Sequence, residues 1–311
     1  MTNTQTGDVD YKKFGRTDGL MLLVTLIWGI NFSFVKIALK ELTPFGFNGI
    51  RLFLASGTLI LILALSGESL KVDRKTFGKV LILGLCGNTA YQMFFIHGLN
   101  LSSASNTAII IAMTPVSIAL ISSLVKHEKI HLATWAGILL SFIGFYLVIS
   151  SRFGTFQFSS QSLRGDLLVF IGNICWALYT VFSKPLLDRM SPLKLTGLTL
   201  ALGTIFYLPF CVKDILRIPY STISAKAWLS ILYSGLFALV ICYVIWYASL
   251  RRVGSTKTAI YVYLIPIFAV IFASFFLGER ITVRQVFGAL IIFLGVYLAR
   301  TGYKRFGSRH K

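Results

Sequence analysis

The chain has 311 residues, of which 56% are hydrophobic and 13% charged, with a formal net charge of +19 and a mean hydropathy of +0.77. So few polar side chains cannot cover a soluble globule of this length, which excludes a soluble enzyme and places the chain in a bilayer. Apolar runs of membrane length fill most of the sequence and leave no room for a separate catalytic or nucleotide-binding domain.

Residues 1–17 read as a polar tail. The first 19 residues are polar and the next run, 20–40, is long enough to span, so it is expected to serve as its own insertion signal rather than as a cleaved leader. Further spans are predicted at 45–65, 77–99, 103–125, 132–151, 166–187, 193–213, 226–250, 254–276 and 282–300, followed by a basic tail at 301–311. Shifting the sequence by 148 aligns Asp18 with Asp166, Trp28 with Trp176, Lys36 with Lys184 and Pro44 with Pro192. A shift of 151 aligns Pro115 with Pro266, Glu128 with Glu279, Gly137 with Gly288 and Gly144 with Gly295, and a longer loop near 213–226 absorbs the difference. Two units, 18–151 and 165–300, therefore hold five spans each. Five is odd, so the second unit enters the membrane from the opposite side. The predicted fold is an all-α integral membrane protein of ten transmembrane helices, arranged as two inverted five-helix repeats. That design is typical of secondary transporters.

The positive charge is sorted by loop. With the N-terminus in the cytoplasm, the cytoplasmic side collects twenty Lys and Arg residues and the opposite side nine, with Arg51 inside a span. This bias predicts an inner-membrane protein with both termini cytoplasmic, and it removes the reason to invoke nucleic acid. The four cysteines, Cys86, Cys175, Cys211 and Cys242, all fall in spans and read as small packing residues.

A tryptophan in the first helix of each unit, a mid-helix proline in the fourth and a G-E-x-I corner leading into Gly-x6-Gly in the fifth resemble the EamA type of the drug/metabolite transporter superfamily. Gly278-Glu279-Arg280-Ile281 fits that corner, whereas His127-Glu128-Lys129-Ile130 departs from it at the glycine. The resemblance covers 18–300 and implies movement of small metabolites, often outward, with amino acids the commonest cargo.

Pro115 and Pro266 each remove a backbone donor and free the carbonyl four residues back, on Ile111 and Val262. Interruptions placed alike in both halves point to a transport site, with a plain packing kink as the alternative. His127-Glu128-x-x-His131 matches the zinc-protease pattern and gives a second reading, a membrane metalloprotease. Against it, Glu128 is matched by Glu279, which has Gly278 and Thr282 where the histidines would stand. All eleven acidic residues lie in tails, loops or span ends. A path without carboxylates weakens the third reading, proton-coupled drug efflux, and favours neutral or zwitterionic cargo.

Trp28 and Asn31 share a face of the first span, and Trp176 and Tyr179 the matching face of the sixth. The third span carries Asn88, Tyr91 and Gln92, and the eighth Tyr243 and Trp246. These nine are the expected substrate-binding residues, with helix-to-helix hydrogen bonding as the alternative for each amide. Lys36 and Lys184 are either snorkelling lysines or a gate and carboxylate partner. Arg51 is expected to touch headgroups, and His97 to pack. The stripes Gly137-Ser141-Gly144 and Gly288-Gly295 are expected as packing or dimer surfaces. The expected partners are a small-molecule metabolite and the lipid bilayer, with no nucleic acid, no cofactor and no metal, and the protein as a monomer or homodimer.

Overall fold

The computed structural model describes residues 15–102, 107, 110–128, 130–153, 160–277 and 281–307. Every regular element among them is helical: α1 (Arg16–Ala38), α2 (Pro44–Leu65), α3 (Arg74–Gly84), α4 (Tyr91–Leu101), α5 (Thr114–Leu124), α6 (Leu132–Phe153), α7 (Ser160–Ser183), α8 (Pro192–Leu216), α9 (Ala225–Leu232), α10 (Cys242–Val253), α11 (Ser255–Ala259), α12 (Ile265–Leu277) and α13 (Val283–Gly307). Nine helices among the described residues are long and apolar enough to cross a membrane. Where the sequence predicts a span at 103–125, the structure has the shorter apolar helix Ile110–Leu124. A turn at Met113 interrupts it just before Pro115, and most of 103–109 lies outside the described residues.

Local chemistry sets the helix starts. Thr43 accepts the Gly46 amide at 3.1 Å and Ser191 the Lys194 amide at 3.0 Å, each followed by a proline whose missing N–H costs nothing in the first turn. Asp73 and Ser224 cap α3 and α9 in the same way. Thr43 and Ser191 stand 148 apart, Asp73 and Ser224 151 apart, the same shifts that align the sequence. A π-helical segment, Leu85–Ala90, joins α3 to α4, and another, Tyr233–Ile241, joins α9 to α10. Both end at positions separated by 151 residues. Wide turns of this kind leave carbonyls free for other partners.

The exterior of the bundle is apolar, and its mainly apolar interior also holds buried polar side chains. Leu65, Leu132 and Leu216 are exposed, while Asn48, Asn88 and Ser183 are fully buried. An apolar exterior suits hydrocarbon, and buried amides and hydroxyls hold helices to one another where water is absent. The glycine stripes of α6 and α13 face each other inside the chain. A Cβ at Gly144 would come within 2.6 Å of the Gly288 carbonyl oxygen, and one at Gly137 within 2.5 Å of the Gly295 carbonyl oxygen. These stripes are therefore an intrachain contact, and the dimer-surface alternative falls away for them.

Candidate functional site

A cavity of about 180 Å³ lies between the two halves of the chain. Trp28 and Asn31 on α1, Arg51 on α2, and Tyr91 and Gln92 on α4 border it from one half. Asn173 and Trp176 on α7 and Tyr243 on α10 border it from the other. It reaches towards Val35 and Leu99, near the C-terminal ends of α1 and α4, and towards Phe47, near the start of α2.

Hydrogen bonds fix these side chains across the halves. The Trp28 indole N–H donates to the Ala238 carbonyl oxygen at 2.9 Å, and the Ser234 hydroxyl donates to Asn31 Oδ1 at 2.6 Å. Both partners lie in the π-helical segment Tyr233–Ile241, so that irregularity supplies the acceptor and donor that orient α1. Trp176 is the centre of a ring cluster, with centroids 5.2 Å from Tyr91, 5.3 Å from Tyr243 and 6.0 Å from Trp246. Trp28 joins it through Trp246, at 5.4 Å. Such pairs lock one another's rotamers.

Of the nine expected substrate contacts, Trp28, Asn31, Tyr91, Gln92, Trp176 and Tyr243 border the cavity. Trp246 and Tyr179 lie behind that wall, the Tyr179 hydroxyl 2.7 Å from Thr199 Oγ1. Asn88 is fully buried where the π-helical segment Leu85–Ala90 meets α8, and a Cβ at Gly203 would fall 2.3 Å from its own Cβ.

The prolines' freed carbonyls both have partners. The Thr114 hydroxyl donates to Ile111 at 2.6 Å, and Asn173 Nδ2 donates to Ile110 at 3.3 Å. Before Pro266 the chain tightens into the 3-10 turn Ile260–Leu264, so the Ile265 amide reaches the Val262 carbonyl.

At the opposite helix ends, Glu128 accepts the Lys184 ammonium at 2.9 Å, along with the Ser255 and Thr256 amides at the start of α11. Gly254, at φ +92°, makes the turn that presents those amides, a conformation few other residues adopt. Burial raises the Glu128 carboxyl, but Lys184 and the two amides outweigh it and hold the group below the usual carboxylate range. Alongside, Asp18 accepts from Arg300 and from the Tyr261 hydroxyl. Lys36, as a side chain, and Gly278-Glu279-Arg280 lie outside the described residues.

The profile of the EamA-like transporter family matches the chain twice, over residues 16–150 and 163–301. The chain belongs to the EamA-like transporter family. An uncharacterized transporter of Archaeoglobus fulgidus is 36% identical over 284 residues, covering 91% of this chain and 96% of that one. The uncharacterized transporter YyaM of Bacillus subtilis is 29% identical, covering 90% and 92%. A protein of Salmonella typhimurium described as a "probable amino-acid metabolite efflux pump" is 26% identical, covering 93% and 96%. A protein of known crystal structure has the same fold, with a TM-score of 0.79 at 18% identity and coverage of 93% and 97%.

An EamA-like transporter is not an enzyme, and the H-E-x-x-H sequence has another use here. Both Glu128 oxygens are engaged, and the His127 ring packs edge-on against Phe182 at 5.9 Å. Two site residues escaped the sequence reading. Arg51, expected among headgroups, is 8% exposed and turned into the cavity, because its Nε donates to Asn48 at 2.8 Å and its Nη2 to Gln92 at 3.1 Å. Asn173 was not singled out at all. The available signals were Asn48 one turn before Arg51, a polar pair with no use on a lipid face, and Asn173 one turn before Trp176.

Proposed function

We propose that this EamA-like transporter is a ten-helix secondary transporter of two inverted five-helix repeats. It moves small neutral or zwitterionic metabolites, amino acids among them, by alternating access. The observation that carries the reading is the central cavity, bordered by polar and aromatic residues from both halves. Inverted repeats make such a site reachable from either side by exchanging the conformations of the two halves. The twofold family match supports the repeat, and the Salmonella relative's name supports amino-acid efflux. The twenty-to-nine division of basic residues supports an inner membrane with cytoplasmic termini. In that orientation Glu128–Lys184 and Asp18–Arg300 tie the cytoplasmic ends, and the cavity leads outward. Lys184 then serves as a gate residue, and opening inward requires both ties to part.

Counterflow in proteoliposomes tests this. A panel of labelled amino acids is expected to contain at least one that exchanges in the wild type. Gln92→Ala and Trp176→Ala are expected to slow that exchange at least tenfold. Exchange of an identified substrate unchanged by both substitutions would refute the site.

A further inference from the structure

Arg51 is the ionised side chain among the residues that border the cavity. It stands seven residues into α2, roughly 10 Å along the helix from Pro44. Its two hydrogen-bonded acceptors, Asn48 and Gln92, are neutral amides, and the Phe47 ring lies 5.5 Å from its guanidinium carbon. No carboxylate of the described residues pairs with it. A guanidinium carries five N–H donors and a full charge, so two amide oxygens leave donors unused and the charge unbalanced. Removing such a group from water without a counter-charge is costly, and inside a membrane bundle it is kept for a purpose.

We infer that Arg51 anchors the carboxylate of the transported molecule, and that the substrates are small monocarboxylates with an apolar or aromatic body. The inference rests on the central-cavity reading and extends its substrate class from zwitterions to small organic anions. The planar fork of arginine suits bidentate binding of a carboxylate. One positive charge matches one carboxylate and leaves a phosphate dianion half-neutralised. The body of the ligand meets Trp28, Tyr91, Trp176 and Tyr243, so the remainder of the site is mainly aromatic. Its size is set by the 180 Å³ cavity. A cavity of about 150 Å³ holds benzene, so a ring or branched chain of that size fits and a drug-sized molecule does not. No acid in the lining awaits an ammonium group. Hydrophobic amino acids therefore qualify through their carboxylate, and their amino group is dispensable.

The test uses purified full-length protein in detergent and reads quenching of intrinsic tryptophan fluorescence, since Trp28 and Trp176 border the cavity. The probes are leucine, phenylalanine, their des-amino acids, the corresponding primary amides and the corresponding amines. The acids, with or without the amino group, are expected to quench saturably. The amides and amines are expected to bind ten- to a hundredfold more weakly, the range for a lost charge-assisted hydrogen bond. Arg51→Gln is expected to abolish the preference for acid over amide, and Arg51→Lys to restore part of it. The wild-type comparison of acid with amide stands even if a variant fails to fold. Amides binding as tightly as acids would overturn the carboxylate anchor and leave the cavity reading intact. Absence of quenching by every probe, together with absence of counterflow, would overturn both.

Discussion

Single side chains hold this bundle in register where a proline breaks a helix. Asn173 donates to the Ile110 carbonyl and lies 3.4 Å from Ser117 Oγ, while Thr114 covers Ile111. Replacing Asn173 with alanine removes its bonds to Ile110 and Ser117, while the Ile110 carbonyl keeps the Met113 amide at 3.0 Å, so the cost is about 0.5–1.5 kcal/mol for each bond lost. The expected result is a lower thermal midpoint in detergent for Asn173→Ala, and an unchanged midpoint would show that the break is satisfied otherwise. Glu128 gives a second prediction. Its carboxyl lies below the ordinary range near 4.3, so its ties contribute fully at neutral pH and are lost only as pH falls through the lowered value. Glu128→Gln removes the charge and is expected to speed amide hydrogen exchange across residues 254–258 at pH 7, while wild type exchanges at the same intrinsic-corrected rate from pH 6 to 8. Equal exchange in the two proteins would mean that Glu128 does not hold that end. Much at this scale was legible in the sequence, but not all of it. Hydropathy tells how deep Arg51 sits along its helix and says nothing about which way it faces. Its direction is fixed by Asn48 and Gln92, and Gln92 is on another helix.

Among the elements, α6 and α13 meet backbone to backbone. A Cβ at Gly288 would lie 2.7 Å from the Gly144 carbonyl oxygen and 2.8 Å from a Val148 methyl. Backbone cannot yield as a long side chain does, so Gly288→Val is expected to destabilise by at least 1–3 kcal/mol and to lower the yield of monodisperse protein. Gly57, whose Cβ would meet nothing within 4 Å, is the control: Gly57→Ala is expected to behave as wild type. Equal loss from both would point to a general intolerance of substitution rather than to this contact. The stripes themselves were readable as close-approach surfaces. Their partner was not, since spacing along one helix carries no address for the other. The caps were more transparent, because Thr43-Pro44 and Ser191-Pro192 carry both the acceptor and the fixed φ in adjacent residues. The π-helical segments leave no such mark, since Leu85–Ala90 and Tyr233–Ile241 arise where the chain must accommodate neighbours.

For the whole molecule, the two sequence shifts that align the halves also relate helix starts, the ends of the π-helical segments and the proline breaks. The residues facing the cavity come from both halves, and the ion pairs that tie helix ends lie away from it. This arrangement motivates the claim that one site is reached from two sides in turn. The direct measurement is side-specific labelling of a single cysteine at Phe95, a residue of α4 that also borders the cavity, using Phe95→Cys in a protein whose four native cysteines are replaced by serine or alanine. A membrane-impermeant maleimide is applied to right-side-out and to inverted vesicles, with and without a substrate that exchanges in counterflow. The account predicts labelling from both sides and protection by substrate in both cases. Labelling from one side only, with substrate that still exchanges, would contradict it.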